Sequence, residues 1–297
     1  MAVHGSITVG CALRTGGNAT GTCSANTRGL MARLVLFPVV MMDLVSLDVL
    51  AVLTLVAFVA GFVDAIAGGG GLLTVPALLA AGLPPAQALA TNKLQGSFGS
   101  LAAALHFVRA GYVTWREMRL AIVCTFVGAA AGALAVQVLE RDVLGRVVPA
   151  LLVFATLYFV FSPRVSDVHG VRRLGDGLFA LLIGTCVGFY DGFFGPGTGS
   201  FFVLAFIALL GLSARVATAR TKILNFTSNF AALLLFILGG KVLWAVGLPM
   251  AAGQFIGGRL GAGVVVGAGA RVVKPMLVAV SLLLTLKVVL ENGGGLL

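Results

Sequence analysis

Gly61-Phe62-Val63-Asp64-Ala65-Ile66-Ala67-Gly68-Gly69-Gly70-Gly71 is followed, 127 residues later, by Gly188-Phe189-Tyr190-Asp191-Gly192-Phe193-Phe194-Gly195-Pro196-Gly197-Thr198. Each copy carries a carboxylate near the end of an apolar run, just ahead of a glycine cluster. From Gly82 onward the offset becomes 129, and it pairs Gly82 with Gly211, Lys93 with Lys222, Gly111 with Gly240, Trp115 with Trp244, Phe126 with Phe255, Gly128 with Gly257 and Gly132 with Gly261. Chance does not easily align two lysines, two tryptophans and several glycines in one register. The pattern reads as a duplicated unit, and a duplicated apolar unit is the usual plan of a carrier whose two copies face a shared central site.

Composition sets the surroundings. Of 297 residues, 59% are hydrophobic and 10% charged, and the mean hydropathy is +1.09. A soluble domain carries about 25% charged residues. The stretch 120–139 holds no charge, and 223–240 is nearly as long. About 20 apolar residues cross a ~30 Å hydrocarbon core as a helix. The fold class expected is an all-α polytopic membrane protein, with the lipid bilayer as its main partner. The 41 glycines then serve close helix packing and broken helices. The net charge of +10 is read as basic cytoplasmic loops, not as a nucleic-acid surface.

Four segments are expected. Residues 1–45, rich in Gly, Thr, Asn and Ala, read as a disordered tail or an overlong start, with Met31, Met41 and Met42 as later starts. Residues 46–162 form a first membrane repeat, 163–176 a polar linker, and 177–297 a second repeat. In the first repeat an apolar run over 47–67 precedes the glycines. The piece 72–82 reaches only ~16 Å at 1.5 Å per residue, so it reads as a half-helix or re-entrant segment. Spans over 85–108, 120–139 and 147–161 follow, with Arg141 and Arg146 marking a turn. The second repeat runs 178–190, a short piece 201–211, then 214–240, 242–258 and 275–290. Whether the halves are parallel or inverted depends on whether the short piece crosses.

The polar residues inside these spans are the candidate site. Asp64 and Asp191 are costly in hydrocarbon unless paired, protonated or facing water. They read as proton or gating residues, or as caps for the free N–H groups of a broken helix. Gly68, Gly69, Gly70 and Gly71, and Gly195, Gly197, Thr198 and Gly199, would expose backbone N–H donors at the positive end of a half-helix, a ready place for an anion. Close packing through small residues is the plainer alternative. Lys93 and Lys222 occupy equivalent places in helices whose polar stripe also holds Thr91, Asn92 and Gln95, and Asn225, Ser228 and Asn229. A cation with several hydrogen-bond donors suits a small anion, while snorkelling at an interface is the competing reading. Trp115 and Trp244 read as interfacial anchors.

Cys11, Cys23, Cys124 and Cys186, and His4, His106 and His169, have no metal-ligand spacing, so no metal is assigned. No nucleophile–base set and no Walker-type loop occurs; neither catalytic residues nor cofactors are expected, and the chain is not read as an enzyme.

The blocks Ala60-Gly61-Phe62 to Pro76-Ala77-Leu78, Ala88-Leu89-Ala90-Thr91-Asn92-Lys93-Leu94-Gln95, Gly188 to Gly195, and Leu235 to Val242 resemble the TauE/SafE (TSUP) sulfite-exporter family, over about residues 45–290. The resemblance implies a secondary carrier in the inner (plasma) membrane for small anions such as sulfite or related sulfur compounds. The leading expectation is alternating-access transport of a small anionic substrate (sulfite, an organosulfonate or a carboxylate), with proton coupling and a homo-oligomeric state left open. A passive anion channel built from the same residues is the alternative. A membrane-embedded enzyme or assembly subunit is the third.

Overall fold

The computed structural model describes residues 46–161 and 171–268. The expected tail 1–45, most of the linker and the span 275–290 lie outside these residues. Among the described residues the chain is all-helical: α1 (Leu47–Ala67), α2 (Gly71–Ala80), α3 (Pro85–Arg109), α4 (Arg119–Gln137), α5 (Arg141–Phe161), α6 (Asp176–Phe193), α7 (Thr198–Leu210), α8 (Ala214–Leu238) and α9 (Trp244–Ala268). A π-helical stretch, Ala180–Gly184, interrupts α6. Helices α1, α4, α6 and α8 are long and apolar enough to cross a membrane, and α2 and α7 are short apolar helices. With large apolar side chains exposed on α1, α4 and α6, such as Leu55, Val127 and Leu181, these helices make the chain a multi-pass membrane protein.

Local chemistry sets the boundaries. Ser46 caps α1 by accepting the Val49 N–H. Gly68, at φ 81°, ends it in the left-handed conformation that glycine adopts without steric cost. Pro85 opens α3 at the first helical position, where no N–H is needed. The turn expected at Arg141 and Arg146 is corrected: both lie within α5, which the Leu144 N–H to Glu140 carbonyl bond starts. Arg141, Asp142 and Arg146 charge the first turns of that helix without breaking it. The span expected over 242–258 instead runs over Trp244–Ala268, because Gly257, Gly258 and Gly261 sit against neighbouring backbone within a continuous helix.

Two hairpins organise the molecule. Leu50, Leu53 and Ala57 of α1 cluster with Leu78 of α2, Leu83 and Ala88 at the start of α3, and Leu243, Val246 and Met250 around the start of α9. So α2 turns back toward the end from which α1 set out. The Arg173 and Leu174 N–H groups both donate to the Leu209 carbonyl, which returns α7 to the start of α6. Arg215, at the start of α8, donates to Tyr112 beyond the end of α3 and lies over its ring. The starts of α3 and α8 therefore lie at opposite ends of the molecule. The end holding the start of α1 is called face 1, and the end holding the start of α6 is face 2.

Helix α1 packs on α9, and α6 on α4, through glycines. Gly257 and Gly261 abut the Phe58 and Phe62 carbonyls, as Gly128 and Gly132 abut those of Thr185 and Phe189. A Cβ at any of these glycines would lie inside van der Waals contact with backbone. Between these two seams, α3 crosses α8 at Gly96 and Asn229. Helix α8 is the most enclosed of the four candidate spans, 61% buried against 33–39%. That enclosure lets it carry polar side chains.

Candidate functional site

The hairpin tips meet at the centre. Gly68 lies against the backbone of Gly199 and Ser200, Gly71 lies against Pro196, and Ser200 Oγ donates to the Ala67 carbonyl at 2.5 Å. Only residues without a Cβ allow the Gly68–Gly199 approach. Each tip holds its aspartate one turn before the break, and each aspartate faces the polar helix of the other hairpin's half.

Both lysines are buried and paired. Lys93 Nζ donates to Asp191 Oδ1 at 2.6 Å, and their side chains are 1% and 2% exposed. Lys222 Nζ donates to Asp64 Oδ2 at 2.9 Å, with side chains 0% and 16% exposed. Lys222 also donates to the Asp64 carbonyl. Asp64 Oδ1 accepts the Gly70 N–H at 3.2 Å, and Ser228 Oγ donates to Asp191. The two readings of Asp64 therefore coincide, since it serves the broken helix and faces a cation. Burial of Lys93 and Lys222 removes the snorkelling reading for both. An isolated buried charge costs several kcal/mol, and a close hydrogen-bonded partner offsets that. Each lysine thus starts out neutralised by an aspartate.

Between the pairs lies a small cavity of about 30 Å³, room for a couple of water molecules. Of the expected residues it brings together Asp64, Asp191, Gly68, Gly71, Gly195, Gly197, Thr198, Gly199, Asn92, Asn225 and Asn229. Lys93, Lys222 and Ser228 stand behind it, bonded to the aspartates. Gly69 and Gly70 lie in the tip; Gly70 has Asp64 beside its Cα. Thr91 is set apart, because its hydroxyl accepts the Leu243 N–H at the start of α9. Gln95 donates to Asn92 Oδ1, which also accepts from Thr74. Gly96 and Gln254 line the cavity and were not expected. A glycine lining a cavity leaves no chemical mark in sequence. Gln254 left one, as a lone amide within an apolar run of α9. Asn225 Oδ1 and Gln254 Oε1 are buried without a protein partner, so two acceptors at this wall have unfilled capacity.

The two tryptophans differ in surroundings. Trp244 is 39% exposed, while Trp115 packs edge-on against Phe226 with centroids 6.3 Å apart. Among the described residues, no group of three or more His, Cys, Asp or Glu side chains is arranged to hold a metal.

Residues 53–288 match the family described as Sulfite exporter TauE/SafE. The chain belongs to the TauE/SafE family. It is 50% identical over 251 residues to "Probable membrane transporter protein YfcA" of Escherichia coli strain K12, covering 84% of this chain and 93% of that one. A Haemophilus influenzae protein named "Probable membrane transporter protein" is 46% identical over 249 residues, covering 84% and 98%. "Probable membrane transporter protein YunE" of Bacillus subtilis is 23% identical over 238 residues, covering 72% and 87%. No solved structure matches the chain. The YfcA-type relatives and the TauE/SafE assignment, taken with the apolar helices, support a membrane transporter.

Proposed function

We propose that the protein is a secondary carrier of a small anion, such as sulfite, an organosulfonate or a carboxylate, in the bacterial inner membrane. The observation that carries this reading is the crossed arrangement of Lys93–Asp191 and Lys222–Asp64 around a polar cavity between two hairpin tips. Two cations and two carboxylates cancel. A proton on Asp64 would cancel its charge and free Lys222 for an entering anion, so that anion and proton move together without net charge. Asn92, Asn225, Asn229 and the tip N–H groups would supply hydrogen bonds, and the cavity would have to widen to admit the anion.

Duplication underlies the mechanism. Its support is a set of contacts that recur between equivalent residues: Gly132 with Phe189 as Gly261 with Phe62, and Lys93 with Asp191 as Lys222 with Asp64. Each pair of counterparts lies 127 or 129 positions apart. The opposed starts of α3 and α8 support an inverted repeat with re-entrant hairpins, the plan in which one half rocks on the other to give alternating access. Arg109, Arg116, Arg119, Arg172, Arg173 and Arg215 gather at face 2, against Arg141, Arg146 and Lys241 at face 1. Among the described residues this excess of positive charge supports a cytoplasmic face 2.

The test is flux of sulfite, sulfonates and carboxylates into proteoliposomes. Lys222→Ala is expected to abolish flux of the transported anion in protein that remains folded, and counterflow exchange separates a carrier from a channel. Wild-type flux in Lys222→Ala removes the lysine from the mechanism.

A further inference from the structure

Both ends of the molecule are packed with apolar side chains, and one of them carries ion pairs in addition. At face 2, Arg220 of α8 reaches Glu117 at 3.6 Å and Asp176, at the start of α6, at 4.0 Å. Asp176 in turn holds Arg172 at 2.6 Å. Arg220 is 21% exposed, Glu117 52% and Asp176 67%, so these contacts tie three elements together within reach of water. At face 1 the counterparts of Arg220, Glu117 and Asp176 are Thr91, Val246 and Val49. That end is shut by Leu53, Ala57, Leu78, Leu83, Val246 and Met250, as face 2 is by Val113, Met118, Phe179, Phe206 and Leu210, but without the ion pairs.

Five of the eight buried side-chain polar atoms without partners among the described residues lean the same way, the others being Gln95 Oε1, Thr125 Oγ1 and Gln254 Oε1. Thr218 and Thr221 are fully buried. Their hydroxyl oxygens make no hydrogen bond, nor do Nε of Arg215 and of Arg220, or Asn225 Oδ1. All five belong to the first half of α8. Thr218 precedes the cavity residue Asn225 by seven positions, two turns away along one face of the helix. The residues of α3 equivalent to Arg215 and Thr218 are Ala86 and Leu89, which have nothing to satisfy. A buried hydroxyl without a partner costs free energy, and two of them lie in line beneath the polar cavity.

We infer that the cavity communicates with face 2 along α8, past Thr221 and Thr218, and that the Arg220–Glu117–Asp176 contacts are the latch across that path. The inference rests on reading the cavity as a transport site. Exposed ion pairs are weak, which suits a closure that must open in every cycle; the buried pairs at the centre are not of that kind. Movement of Arg220 away from both carboxylates would turn its guanidinium, with its unpartnered Nε, toward the path, so that opening the latch would also offer a cation to an arriving anion.

The test is thiol accessibility in the full chain, with Cys11, Cys23, Cys124 and Cys186 changed to serine and no substrate present. Val171→Cys and Val138→Cys, each 83% exposed, mark faces 2 and 1 for a membrane-impermeant methanethiosulfonate. Thr218→Cys is expected to react only from the side that labels Val171→Cys. Adding Arg220→Ala removes two weak ion pairs and is expected to raise that rate roughly two- to tenfold, whereas Arg220→Lys leaves it near the starting value. Leu89→Cys is expected not to respond to Arg220→Ala. Should Thr218→Cys not fold, Thr221→Cys takes its place. Reaction from the Val138 side, a rate indifferent to Arg220→Ala, no reaction even with Arg220→Ala, or an equal rise at Leu89→Cys overturns the inference. Because the readout needs no anion, its failure leaves the flux result standing, and a failed flux assay leaves the path to be judged by labelling.

Discussion

Lys93–Asp191 and Lys222–Asp64 occupy corresponding places in the proposed repeat and are not alike. The first pair is the more buried, with Asp191 lining the cavity but only 2% exposed and bonded to Ser228. In the second, Asp64 is 16% exposed, meets the cavity, and holds the Gly70 N–H. The residue equivalent to Ser228 is Gly99, and the side chain of Gln254 fills the space a Cβ would take there. One substitution thus gives Asp191 a hydroxyl partner, while the space beside Asp64 stays with a glutamine whose Oε1 is unpartnered. In the proposed cycle the more buried pair stays closed, and the more exposed pair changes its protonation.

The largest test of that difference is Asp191→Ala. It leaves Lys93 buried and alone, and stability in detergent is expected to fall by roughly 3–5 kcal/mol, the usual cost of breaking a buried pair. Lys93→Met with Asp191→Leu is expected to recover most of it, since both charges go together. Asp64→Asn ranks next. The amide oxygen and the backbone carbonyl still accept from Lys222, so a loss of about 1–3 kcal/mol is expected, and flux is expected to lose its dependence on an imposed proton gradient. Equal destabilisation by Asp191→Asn and Asp64→Asn would dissolve the distinction.

The seams sharpen the comparison from the side of likeness. Gly132→Ala and Gly261→Ala push a methyl group into the Phe189 and Phe62 carbonyls respectively, and overpacking costs about 1–3 kcal/mol. Matching losses in thermal melts are expected from the two. Smallest are Gly111→Ala and Gly240→Ala, at φ 77° and 62° with open space around each. There only the left-handed strain of about 1–2 kcal/mol applies, again alike in both.

Much of this architecture was readable residue by residue. Two glycine clusters, each followed by an apolar piece too short to cross, announced the helix breaks at Gly68 and Gly195. The polar stripe on α3 and α8 announced that both helices are enclosed. What stayed hidden is what depends on the crossing of distant helices. Lys93 pairs with Asp191 and not with Asp64, although Asp64 is far closer in sequence. Thr91 looked like part of the stripe, but the helix turns it toward the start of α9. Gly96 lines the cavity by having no side chain. Arg141 and Arg146 resembled a turn because charge usually ends an apolar run, yet charged residues are also at home in the first turns of a helix near the membrane surface.

The contact of Gly68 with Gly199 has a mechanical side. Two stretches of bare backbone touch there, with no interlocked side chains that would have to disengage before one surface glides over the other. Sliding of packed elements is ordinarily limited by such interdigitation. At this point steric locking is low, so the Ser200–Ala67 hydrogen bond and the neighbouring ion pairs, not interdigitated side chains, hold the two hairpins in register.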